Sequence, residues 1–199
     1  MDEWDLKYLR HAVELAREAL DAGDEPFGSV LVSSDNVVLG QDRNRVAGGD
    51  NTRHPELALA QWAGANVPAS ERARATVYTS GEHCPMCAAA HGWAGLGRIV
   101  YASSSEQLSG WLAEFGAPPS PVRPLPIQEI APLVSVEGPV PELAREVKEL
   151  HRILWTRRLA VPGRSAERNA AVIRDTQKRV QGGASRESIR EALRDGRGE

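Results

Sequence analysis

Leu6, Leu9, Val13, Ala16 and Leu20 recur every three to four residues among polar neighbours, a stripe that predicts an amphipathic helix over residues 5–22. Gly23 closes it. The period then drops to that of strands. Residues 28–33 (Gly-Ser-Val-Leu-Val-Ser) form a short apolar run, Ser34-Asp35-Asn36 a turn, and residues 37–40 a second run, which together read as a hairpin. A polar loop over 41–53 leads to a helix at about 54–64. Residues 75–80 predict a third strand running straight into a helix at 84–95, and residues 98–103 predict a fourth. A polar helix follows at about 105–115, then a proline-rich connector over 117–126. Residues 131–137 supply a fifth strand, and 141–159 a long helix carrying Leu143, Val147, Leu150, Ile153 and Leu154. After Pro162-Gly163 the composition shifts to Arg, Glu and Asp with short apolar stripes broken by Gly182-Gly183. That stretch is expected to form one or two exposed helices or a partly disordered tail. From the first strand onward the order is β-β-α-β-α-β-α-β, which suits an α/β fold with a mixed five-stranded sheet covered by helices. The expected division is a domain over 1–160 and an extension over 161–199.

Composition narrows the function classes. A chain of 199 residues has the length for one domain with a real core plus an extension. Its net charge of -3 and pI near 6.0 argue against extended phosphate contact, so a nucleic acid is not the expected partner. The two cysteines are three residues apart, which leaves no disulfide framework and fits a reducing compartment. The start, Met1-Asp2-Glu3, is acidic with no long apolar run behind it, and no stretch approaches membrane-spanning length. A cytoplasmic protein without membrane contact is expected.

The chemistry concentrates in His54-Pro55-Glu56 and Cys84-Pro85-Met86-Cys87. Both place a metal-capable side chain before a proline, and proline is favoured at the first helical position because its missing N–H would have no partner there. His54 and Cys84 are therefore expected at helix N-caps, where the partial positive charge of each helix end favours thiolate. Cys84 and Cys87, three apart on one turn, direct both sulfurs to one side. With His54 they form a Cys2His set, the three-ligand pattern of a catalytic zinc with one position open, one Zn2+ per chain. Glu56 at the helix entrance can face the same pocket, where a carboxylate suits a proton carrier better than a fourth ligand. A structural zinc would ordinarily close with another Cys or His, for which His83 and His91 are the nearby spares.

His-x-Glu with Pro-Cys-x-x-Cys is the signature of zinc deaminases. Over roughly Leu6 to Tyr101 the chain resembles the cytidine/deoxycytidylate deaminase-like superfamily, most closely its guanine deaminase and tRNA adenosine deaminase branch. Pro26-Phe27-Gly28, Asn44, Asp50-Asn51-Thr52-Arg53-His54, Glu82, Cys84-Pro85-Met86-Cys87 and Trp93-Ala94-Gly95 carry the resemblance. Two departures stand out: His83 occupies the usual proline before the first cysteine, and Gly92 stands where an aromatic residue commonly precedes the tryptophan. The resemblance implies a three-layer α/β/α sandwich and a homodimer. It also implies hydrolytic deamination with Glu56 as the catalytic proton carrier.

Its substrate contacts would be Asn44, whose amide both donates and accepts, and Phe27 as a ring platform. His83 would hold an active-site role. Glu114 is a candidate acceptor for ring N–H or amino groups, with a solvated helix face as its alternative, and Trp93 is expected in the core, with a pocket wall as its alternative. The expected substrate is a small free base: guanine, or a relative such as isoguanine, cytosine or an aminotriazine. A tRNA adenosine deaminase is the alternative. A non-catalytic, zinc-stabilised interaction module using the arginine-rich tail is the second.

Overall fold

The structure, a computed structural model, describes residues 1–160; the expectation for a tail over 161–199 falls outside them. Residues Met1–Trp155 form one compact unit.

Helix α1 (Glu3–Asp21) starts at Asp2, whose carboxylate accepts the Asp5 N–H while Asp5 accepts the Asp2 N–H, a reciprocal capping box. Strands β1 (Gly28–Val32) and β2 (Val38–Arg43) make the expected hairpin. β2 runs three residues past its predicted end because the antiparallel ladder continues to the pair Gly28–Arg43. A short 3-10 turn (Val46–Gly48) precedes α2 (Pro55–Asn66) and the single-turn α3 (Ala69–Arg72). Then come β3 (Thr76–Gly81), α4 (Pro85–Ala94), β4 (Arg98–Ser103) and α5 (Ser105–Glu114). A short α6 (Ile127–Ile130) leads to β5 (Val136–Glu137) and α7 (Pro141–Ala160).

The sheet order is β2-β1-β3-β4-β5, antiparallel as far as β3 and parallel from β3 to β5. Side chains alternate across it. Val30, Val32, Tyr78, Val100 and Ala102 pack under α1 and α7. On the other face, Leu31 and Val77 meet Leu59, Ala60 and Ala63 of α2. Farther along that face, Ile99 and Tyr101 meet Ala88 of α4 and Ile127. This is the three-layer α/β/α sandwich with a mixed five-stranded sheet. β1 is buried along its whole length, as a strand covered on both faces must be.

The fifth strand is shorter than expected. Only Val136 and Glu137 pair, with Ile99 and Val100, because the chain turns over residues 131–134, where the Val134 N–H bonds to the Ala131 carbonyl. Trp93 departs further from expectation: it is 92% exposed rather than in the core. Cys87, Ala88 and His91 fill the inward face of α4, and Gly92 packs on Ala131, which leaves the indole on the outer side.

Close packing positions the site end of the sheet. A Cβ at Gly28 would run into the Ala12 carbonyl oxygen and Leu15 Cβ of α1. A Cβ at Gly81 would sit about 3.0 Å from Phe27 Cε1, so the Phe27 ring lies directly on Gly81.

Candidate metal centre

β3 ends at Gly81 and β1 begins at Gly28, so the carboxyl end of one strand and the amino end of its antiparallel neighbour open on the same edge. The chain leaves β3 through Glu82 and His83 into Cys84, the N-cap of α4, with Pro85 in the first helical turn. α2 begins the same way, with His54 as N-cap and Pro55 next. Neither N-cap side chain caps its own helix. Both are therefore available to a ligand.

His54 Nδ1, Cys84 Sγ and Cys87 Sγ form a triangle with all three sides 3.6 Å. Zinc bonds of about 2.3 Å to sulfur and about 2.0–2.1 Å to nitrogen make tetrahedral edges of roughly 3.6–3.8 Å. The triangle thus fits one face of a zinc tetrahedron. These residues are the group among the described residues whose donor atoms cluster as a metal site would require.

The metal-free protonation pattern follows from that crowding. The Cys87 thiol donates toward Cys84 and, against the burial that opposes charge, with His54 and the helix-end N–H assisting, brings Cys84 down to about 4. Cys87 keeps its proton: the bond to Cys84, burial and the neighbouring Glu56 charge all push it up. Burial works against a charged His54, but its bond to Cys84 and the Glu56 charge outweigh it and lift it to about 9.

Glu56 lies in the first turn of α2 and is buried. Its Oε2 is 3.6 Å from Cys87 Sγ, and its Oε1 accepts from Ser29 Oγ at 3.1 Å and Thr79 Oγ1 at 3.0 Å. Burial raises its pKa, with the His54 charge as the leading opposing influence. A carboxyl that burial pushes toward the neutral form is suited to both taking and returning a proton near neutrality.

Asn44 is fully buried in the loop after β2. Its Oδ1 accepts the Val46 N–H at 3.0 Å, while its Nδ2 has no hydrogen-bond partner among the described residues. The Asn44 N–H bonds to the Phe27 carbonyl, and Arg45 N–H bonds to the carbonyl of Arg53, the residue before His54. Asp24 holds this loop from below. It accepts from Arg43 at 2.8 Å and from the Ala47 N–H at 2.7 Å, and Arg43 also donates to the Asn44 carbonyl. Phe27 stands between Gly81 and His151, whose ring meets it edge-on at 5.0 Å.

The other two expected contacts have different neighbours. His83 is buried with its ring 5.4 Å from that of His91, and burial followed by the His91 charge keeps it neutral. His91 in turn bonds to the Gly97 carbonyl. Glu114, at the exposed end of α5, pairs with Lys148 at 2.8 Å. Glu82 is a structural tie, since its carboxylate accepts the Ser105 and Ile127 N–H groups and so joins the starts of α5 and α6 to the end of β3. Ser29, Thr79, Asp24 and Arg43 do not stand out along the chain. A hydroxyl within the aliphatic run Gly-Ser-Val-Leu-Val is the available signal for Ser29.

Known proteins resemble this chain in sequence and in fold. The family described as the cytidine and deoxycytidylate deaminase zinc-binding region matches residues 2–103. A probable cytosine deaminase of Schizosaccharomyces pombe is 32% identical over 150 residues, 71% of this chain and 91% of the relative. The guanine deaminase of Bacillus subtilis is 34% identical over 97 residues, 48% of this chain and 62% of the relative. A solved structure from work on tRNA:A34 deaminases is 24% identical with a TM-score of 0.52, covering 73% of this chain and 99% of the other, a likeness of fold.

Proposed function

The chain belongs to the cytidine and deoxycytidylate deaminase family, and from that premise we propose that it releases ammonia hydrolytically from a free nucleobase. The proposed substrates carry an amino group beside a ring nitrogen and a carbonyl elsewhere on the ring: guanine or a related base such as isoguanine, cytosine or an aminotriazine. The observation that carries the reading is the placement of Glu56, buried beside the His54–Cys84–Cys87 zinc triad without being part of it.

Zinc held by the triad would supply Lewis acidity and bring the pKa of a water toward neutrality. Everything else falls to the chain. Glu56 takes one proton of the attacking water at Oε2 and returns it to the ring nitrogen, then takes the remaining proton from the oxygen added to the ring carbon and passes it to the departing amine, which leaves as ammonia. Asn44 offers Nδ2 as a donor to the ring carbonyl, with its Oδ1 already committed to Val46. Phe27, seated on Gly81, offers a flat apolar surface to the ring. His83 and Glu114 are given no contact in this scheme, because their side chains meet His91 and Lys148.

A homodimer is part of the proposal. Trp93 and Leu133, on either side of the Gly92–Ala131 contact, are 92% and 99% exposed, and large apolar side chains left in water are what subunit contacts cover. A sizing measurement that shows monomer alone would remove this part.

The substrate test is ammonia release across purine, pyrimidine and triazine bases, their nucleosides and tRNA. Turnover of a free base supports the reading. Release from tRNA alone would replace it with adenosine deamination in tRNA, and no release from any of them would favour a zinc-stabilised interaction module. No helix among the described residues is long and apolar enough to cross a membrane.

A further inference from the structure

Ser29 and Thr79 are partners across the antiparallel β1–β3 ladder, both fully buried, with hydroxyls 2.9 Å apart. Both reach the same atom, Glu56 Oε1, at 3.1 and 3.0 Å. The next residues on that face, Leu31 and Val77, are aliphatic. An apolar residue would be the ordinary occupant there, because a buried hydroxyl is unfavourable unless it is bonded. The ladder itself needs only backbone groups. The hydroxyls therefore serve the carboxylate.

A glutamate's terminal torsion is broad and nearly two-fold, so either oxygen of an untethered carboxylate can face a neighbour. We propose that Ser29 and Thr79 are positioning residues. They hold Oε1 from the sheet, so that Oε2, the oxygen 3.6 Å from Cys87 Sγ, is the one presented to the zinc position and the one that carries the transferred proton. Thr79 Oγ1 also lies 3.0 Å from the Gly81 carbonyl. That second acceptor lets the threonine proton turn aside while Ser29 still donates to Oε1. The inference rests on the reading of Glu56 as proton carrier.

The test compares wild type, Ser29→Ala, Thr79→Val, Thr79→Ser and the double variant S29A/T79V, assayed on whichever base the ammonia panel identifies. In the double variant zinc content stays at about one per chain, kcat falls about ten- to a hundredfold, and KM stays within about threefold. Thr79→Ser, which keeps the hydroxyl, restores the rate lost in Thr79→Val. Independently of turnover, the Glu56 carboxyl band, isolated by subtracting the infrared spectrum of Glu56→Gln, shifts when both hydroxyls are removed. Should the double variant fail to fold, Ser29→Ala removes a single oxygen and must still lower kcat. Wild-type kcat in these variants, a loss that Thr79→Ser does not recover, or an unshifted band overturns the inference. An active Glu56→Gln would instead overturn the proton-carrier reading, and an inactive Glu56→Gln beside a fully active S29A/T79V would sink the positioning role alone.

Discussion

Glu56 Oε2 and Cys87 Sγ lie 3.6 Å apart, with the other carboxylate oxygen tied to the sheet through Ser29 and Thr79. The acid is thus against the metal ligands yet anchored from behind. Replacing it with glutamine keeps its shape and its hydrogen bonds but removes its ability to take a proton. Glu56→Gln is expected to retain zinc and lose kcat by at least about a hundredfold, the usual contribution of a positioned acid-base group. Parallel zinc analysis and single-turnover assays check both halves.

Metal binding should be strongly pH-dependent. In the free site Cys84 is already a thiolate, whereas Cys87 holds its proton and His54, at about 9, is cationic. Zinc needs deprotonated thiols and a neutral imidazole, so loading displaces about two protons near neutrality. Affinity rises with pH and falls as the solution is acidified, measurable by competition with a chromophoric chelator at about pH 6 and about pH 8. Cys87→Ala is expected to abolish tight loading at either pH.

Asn44 offers a variant that separates loop structure from substrate contact. Asn44→Asp keeps an oxygen for the Val46 N–H but replaces the unpartnered Nδ2 donor with an acceptor. Zinc content should stay near wild type, while thermal stability falls, because the new carboxylate oxygen is buried without a donor. The kcat/KM for the free base should fall about thirty- to a hundredfold, the cost of about 2–3 kcal/mol for a lost donor facing a buried carbonyl. An unchanged kcat/KM would remove Asn44 from substrate binding.

Asp5 is expected to contribute to stability in acid. Its buried carboxylate accepts two bonds from Arg98 at 2.8 and 2.9 Å and one from the Tyr78 hydroxyl at 2.8 Å. Burial alone would raise its pKa, but Arg98, the Asp2 N–H and Tyr78 outweigh that and hold it below the usual carboxylate range. A depressed folded-state pKa gives stability that is fully present above the unfolded carboxylate value of about 3.9 and is lost as pH falls through the folded value. Asp5→Asn should cost about 2 kcal/mol at pH 7, the range of a hydrogen bond to a charged group, and flatten the stability curve below about pH 4, as read by urea unfolding across pH.

Much of this was legible along the chain. The stripe Leu6–Leu20 gave α1, the apolar runs gave β1, β3 and β4, and prolines after His54 and Cys84 put both at helix N-caps, because these signals act within a few residues. The same local chemistry marked the zinc ligands, since Cys84 and Cys87 are one helical turn apart and His54 heads α2 with Glu56 in its first turn. Trp93 escaped that reading, since a short helix that is apolar on several sides does not declare which side meets the sheet. Local pattern also overextended β5: the run from 131 to 137 resembles a strand, but residues 131–134 turn, with the Val134 N–H on the Ala131 carbonyl, and pairing begins only at Val136. Ser29 beside Thr79, and Asp24 beneath Asn44, were decided only by tertiary structure. They are 50 and 20 residues apart in sequence and meet through strand register and loop packing, and no local signal specifies which distant side chain a buried hydroxyl or carboxylate will face.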